Sequence, residues 1–198
     1  MMYRIKKETQ IEIIEKKSKF ITRINNIKSE EEAKNQIEEI SKAEKGAVHN
    51  CYAYRILSQN NSIIEKKNDD GEPGGTAGAP MLAVLTGEGI INALAVTTRY
   101  FGGIKLGTGG LVNVYARGVK EVLKASGKIE HVITESWKIE FAINKTDLVQ
   151  YQLNKEDFTI SEREFKGNNV SFIVDVPENS INNIRDIAKL VQGNIIKL

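Results

Sequence analysis

Cysteine is almost missing from this 198-residue chain, which has Cys51 and no other. A single thiol excludes an intramolecular disulfide framework and a cysteine-only metal cage, and it fits a reducing compartment. Histidine occurs only at His49 and His131, and no zinc-ligand spacing or Ser-His-Asp signature can be assembled around either. Long apolar runs are missing too. No stretch approaches the roughly 18 apolar residues of a membrane span, and the opening MMYRIKKE has no apolar segment of a secretory leader. The expectation is a soluble, unprocessed, cytoplasmic protein with no membrane partner. A large net charge is also absent: 28 Lys and Arg against 26 Asp and Glu leave +2, too little to indicate nucleic acid by itself.

What the chain does have is unevenly spread. With 40% hydrophobic residues it can bury a core as one medium domain or two small ones. Residues 1–28 hold eight basic residues against three Glu, residues 29–44 hold six Glu against Lys34 and Lys42, and residues 99–128 hold six basic residues against Glu121. Twelve of the 16 glycines and two of the three prolines lie between Gly71 and Gly118. Glycine weakens regular structure and serves where φ must be positive or where backbone must approach a partner closely. This window is therefore read as the centre of function.

Periodicity orders the rest. Residues 9–15 and 18–27 alternate as a strand pair around Lys16-Lys17, and Ser29 with Glu32 makes a capping box for a helix carrying Ala33, Ile37 and Ile40 inward. Strands are expected at 49–57 and 62–67, joined by Ser58-Gln-Asn-Asn61, then a short helix over 76–85 with Pro80 in its first turn. Residues 90–98 read as a strand buried on both faces, and Leu111 to Ala125 as a helix stopped by Gly127. A boundary is expected near 130–136, giving domains over 1–130 and 136–198. After it, Trp137, Ile139, Phe141 and Ile143 alternate as a strand, and a polar helix is expected over 145–154. A hairpin is expected at 158–165 and 170–176, a helix opened by Pro177, and a last strand at 194–198. The order βαββαβ is the ferredoxin-like split unit.

Four groups of residues offer chemistry. Gly102, Gly103, Lys105, Gly107, Gly109 and Gly110 lead into a helix, and a helix N-terminus with small residues is an anion site if Lys105 and Arg99 close on the same group. A tight turn packed on the sheet is the competing reading, since neither the phosphate-loop pattern nor GxGxxG is complete. Asp69, Asp70 and Glu72 put three carboxylates in four residues, suited to a metal, to proton transfer, to pairing with Arg99, or to a solvated bend. His49 and Cys51, two apart on a strand, share one face, while Asn50, Tyr52 and Tyr54 share the other. Cys51 is read chiefly as a small buried hydrophobe. Tyr100 and Phe101 beside Arg99 can stack on bases or plug the core.

The strings HNCYAY (49–54), DDGEPGGTAGAP (69–80) and TRYFGGIKLGTGGL (98–111) resemble, nearly residue for residue, the signature of the IMPACT/YigZ family. The likeness covers about residues 1–128, and the remainder looks like the small C-terminal domain of bacterial members. It implies an α+β protein. The first domain would be α/β, with the fold of a ribosomal-protein domain shared with translocase elongation factors and GHMP-type kinases. The second would be ferredoxin-like and similar to an elongation factor G module. It also implies a motif surface of His49, Asn50, Asp69, Asp70, Glu72, Arg99, Tyr100, Lys105 and the glycines from 102 to 110, whose activity in the family is unsettled. Two functions follow. One is a cytoplasmic regulatory protein of translation, not an enzyme, that binds RNA, the ribosome or a translation factor without a cofactor. The other is an enzyme on a phosphorylated small molecule or nucleotide at the same surface.

Overall fold

The computed structural model describes residues 1–58 and 60–198; Gln59, within the expected turn, lies outside the described residues. The described residues form an α+β structure with five α-helices and antiparallel sheets, divided into two compact units, 1–131 and 132–198.

The first unit is built on a five-stranded sheet. Strands β2 (Thr9–Glu15) and β3 (Ser18–Asn26) form a hairpin whose two turn residues, Lys16 and Lys17, both take positive φ, as a right-twisted two-residue turn requires. With β4 (His49–Leu57), β5 (Ile63–Asn68) and β6 (Ala93–Tyr100) the order is β2-β3-β6-β4-β5, and every neighbour is antiparallel. Helix α1 (Glu30–Ala43) covers one face. Its N-cap Ser29 accepts from Glu32 N–H, while the Glu32 carboxylate reaches back one residue further than a capping box requires, to Lys28 N–H. Ala33, Ile37 and Ile40 pack there with Ile27, Tyr54, Leu94 and Val96. Helices α2 (Gly78–Gly87) and α3 (Thr108–Ser126) cover the other face over Phe20, Ile24, Cys51, Ala53 and Ala95.

Helices on both faces explain why β6 is buried along seven of its eight residues. Ile90 and Ile91 are equally buried but precede the strand, because Asn92 turns the chain at positive φ. Two short strands escape periodicity altogether: β1 (Tyr3–Ile5) pairs with β7 (Lys128–Glu130). Three residues are too few to establish alternation.

The second unit runs β8 (Thr134–Ala142), α4 (Thr146–Lys155), β9 (Thr159–Lys166), β10 (Asn169–Pro177), α5 (Ile181–Val191), β11 (Asn194–Lys197), with sheet order β11-β8-β10-β9, antiparallel throughout. Its own core gathers Trp137, Ile139, Phe141, Leu153, Phe172 and Ile184. Two expectations need correction. Ile143 is exposed in a 3-10 turn, because β8 ends at Ala142. Pro177 closes β10 instead of opening the helix: its missing N–H does no harm at a strand end, and a 3-10 turn over 178–180 precedes α5.

Candidate functional site

The carboxylate loop is first of all a piece of architecture. Asp69 accepts hydrogen bonds from the N–H groups of Gly75, Ala77 and Gly78, so it caps α2 from nine residues upstream where Ala77, at the N-cap, has no side chain to do so. Burial works against the Asp69 charge, yet those three donors outweigh it and hold the carboxyl below its ordinary value. Asp70 accepts from Asn50 N–H through its carboxylate, and its carbonyl meets His49 Nδ1 at 2.7 Å. A carbonyl only accepts, so Nδ1 carries the proton and Nε2 is the free nitrogen of neutral His49.

Glu72 is different, since its side chain is only 2% exposed. Its Oε1 accepts from Arg99 Nη1 at 2.6 Å and from the Tyr115 hydroxyl at 2.8 Å. Its Oε2 accepts no hydrogen bond among the described residues and lies 3.9 Å from His49 Nε2. Arg99 is nearly as buried, at 7% exposure, with its guanidinium 5.3 Å and 5.5 Å from the ring centres of Phe20 and Phe101. Its Nε finds no partner among the described residues. The sheet register makes this cluster: His49 lies directly opposite Arg99 on the β4–β6 ladder, so both side chains leave the sheet toward α2 and α3.

These groups line a cleft of ≈ 430 Å³, with Val48, Pro73, Phe101, Leu106 and Leu111 as apolar walls and Lys105, Gly107 and Thr108 at the rim. Gly107, at φ 78, is the N-cap of α3 and brings no capping side chain. Leu111 N–H is the first to bond within the helix, to the Gly107 carbonyl, so the amides of Thr108, Gly109 and Gly110 have no intrahelical acceptor. The first turn has no acidic residue, which leaves its partial positive charge uncompensated.

Of the sequence candidates, the cleft brings together His49, Glu72, Arg99, Lys105 and Gly107. Gly103 is exposed in the loop leading to α3, and Gly109 and Gly110 lie in the first turn of that helix. Asn50 and Tyr100 are on the opposite face of the sheet: Asn50 Oδ1 accepts from Thr98, and the Tyr100 hydroxyl donates to Glu44, with Lys19 above its ring. Tyr100 is thus engaged with α1 and does not stack beside Arg99, whereas Phe101, 48% exposed, stands on the cleft wall. Cys51 is buried, and that burial is the main cause that pushes its thiol up to about 12, which disfavours the thiolate. Among the described residues no group of three or more His, Cys, Asp or Glu is placed to hold a metal ion, and no helix is long and apolar enough to cross a membrane.

Tyr115 is the site residue that sequence reasoning missed. Its place on the apolar stripe of α3 marked it as core, and it is fully buried, but its hydroxyl positions Glu72. The only signal available was a polar tip in an otherwise aliphatic stripe.

Comparison with known proteins gives the family of the chain. The chain is 45% identical over 128 residues to the IMPACT family member YvyE of Bacillus subtilis, covering 65% of this chain and 58% of that protein. It is 45% identical over 109 residues to the IMPACT family member YigZ of Escherichia coli, covering 55% and 53%. The chain thus spans little more than half the length of these curated relatives. A crystal structure described as that of a hypothetical protein aligns over 100% of this chain and 96% of its own, at 29% identity and a TM-score of 0.68. A structure of the two-domain translational regulator Yih1 aligns over 61% of this chain and 46% of its own, at 23% identity and a TM-score of 0.35. The model of the Impact N-terminal domain matches residues 16–123, more than half of the sequence, and the chain belongs to the IMPACT/YigZ family.

Proposed function

We propose that this chain is a cytoplasmic, translation-linked binding protein that binds RNA, the ribosome or a translation factor through the basic surface around the glycine loop, with RNA phosphates as the groups it meets. One observation carries the reading. A Cβ on Gly102 would fall 2.0 Å from the Lys17 carbonyl, so the Lys16-Lys17 hairpin tip is seated directly on the loop that continues to Lys105 and the open end of α3. Two stretches of positive charge that are separate in sequence are thereby packed together, one on the hairpin tip and one on the loop that runs on to Lys105 at the cleft. Phosphate contacts of this kind position RNA and make affinity salt-dependent. The second unit is read as a ferredoxin-like domain of elongation-factor type, a reading supported by its β11-β8-β10-β9 order.

Co-sedimentation with ribosomes and their subunits at low and moderate salt tests this. Binding is expected at low salt, weaker at moderate salt, and lost in the Lys17→Ala/Lys105→Ala variant. Salt-independent binding, or none, sinks it.

A second reading rests on the 3.9 Å approach of His49 Nε2 to Glu72 Oε2, which suits proton transfer in an enzyme acting on a phosphorylated small molecule or nucleotide. Product formed from a mononucleotide by the native protein, and none by His49→Ala, would select this reading over the first.

A further inference from the structure

We infer that the cleft is a site for one ribonucleotide, with its phosphate at the α3 N-terminus and Lys105 and a ribose hydroxyl donating to the Glu72 and His49 pair. The inference rests on the RNA-binding reading and names the chemistry of its ligand. The open amides of Thr108 to Gly110 and the Lys105 ammonium ask for an anion. An exposed helix end is too common a feature to mark a site, and here a second, independent demand accompanies it. The floor is incompletely satisfied: Glu72, a cleft-lining residue whose side chain is 2% exposed, has an Oε2 that accepts no hydrogen bond among the described residues. Buried polar groups are nearly always paired, so such an acceptor points to a donor on a ligand.

His49 sharpens the requirement. With Nδ1–H given to the Asp70 carbonyl, the neutral form of its ring has the Nε2 lone pair 3.9 Å from Glu72 Oε2. Two acceptors side by side suit a hydroxyl, which donates one proton and is shared between them, and they repel a second anion. A simple phosphate therefore satisfies only the rim. The walls add a third demand, for a flat apolar surface against Phe101, Val48 and Pro73. A nucleotide carries an anion, a hydroxyl and a flat ring in that sequence, and a volume of ≈ 430 Å³ is in the range of small-ligand sites. The 2′-hydroxyl is the group by which a protein tells RNA from DNA.

Free nucleotide and RNA share this chemistry, and two probe pairs separate them. The first is adenosine 5′-monophosphate against its 2′-deoxy form by calorimetry. The second is a fluorescein-labelled single-stranded RNA against DNA of the same sequence by anisotropy. Loss of one hydrogen bond to a charged acceptor predicts a preference for the ribo form of about tenfold or more in Kd. Lys105→Ala should weaken ribo and deoxy forms alike, while His49→Ala and Glu72→Gln should bring the ratio near one. His49→Ala serves if Glu72→Gln does not fold. Preference in either pair, lost in these variants, supports the site and identifies its source. Equal binding of ribo and deoxy forms, no binding in either pair, or a preference that His49→Ala leaves intact overturns it. Ribosome co-sedimentation reports separately. Sedimentation without ribo preference would remove this site and leave the translational reading, and the reverse result would do the opposite.

Discussion

Glu72 and Asp69 stand three residues apart and have opposite roles, because one side chain is taken up by backbone and the other is turned to the cleft. All three hydrogen bonds of Asp69 come from N–H groups of its own loop and of α2, whereas Glu72 is held across the sheet by Arg99 and Tyr115. Removing one partner of a buried ion pair typically costs about 3–5 kcal/mol, so the Glu72–Arg99 pair is a structural commitment as well as a binding surface. The Asp69 carboxyl titrates below its ordinary value in the folded state. Its charge therefore adds stability that is fully present above the unfolded pKa of about 3.9 and is lost as pH falls through the folded value. Asp69→Asn is expected to destabilise the protein by about 1 kcal/mol near neutral pH. Urea unfolding at pH 7 and near pH 3 should show the gap between variant and native protein narrowing in acid, and a gap independent of pH would refute the assignment.

At the scale of elements, the site depends on how closely three of them approach. The β2–β3 turn rests on Gly102, and α3 crosses β3 at Gly118, where an added Cβ would meet Thr22 Oγ1 at 2.4 Å. A side chain tip can move, but the Lys17 carbonyl at 2.0 Å from a Cβ on Gly102 is backbone and can yield only by displacing the hairpin. Gly102→Ala is therefore expected to lower the stability of the first unit by at least about 2 kcal/mol and to weaken nucleotide binding by moving Lys17 and the Lys105 loop. Circular dichroism during urea unfolding checks the first effect and calorimetry the second. Much of this scale was legible in the sequence. Lys16-Lys17 between alternating runs marked the hairpin, Ser29 and Glu32 marked the start of α1, and Gly127 marked the end of α3. Pro177 misled because a strand end and a helix start both tolerate a residue without an N–H, and Ile143 because it continues the alternation one step past the point where β8 stops.

For the whole molecule, the two units carry separate cores, and Trp137, the only tryptophan, belongs to the second. Its fluorescence should follow the second unit alone. The Gly102→Ala variant is thus expected to shift the transition seen by circular dichroism while leaving the Trp137 midpoint in place, and a matching shift in both would show that the units unfold as one. The sequence alone determined the element order, the loops richest in glycine and the residue types at the cleft, because caps, turns and alternation are local and can be read from neighbours along the chain. Tertiary structure decided which of those residues face each other. The β4–β6 register set His49 against Arg99 and sent Asn50 and Tyr100 to the other face, and it brought Tyr115, 43 residues along the chain, to Glu72. Register and helix docking arise from burial summed over distant segments, and no local pattern encodes them.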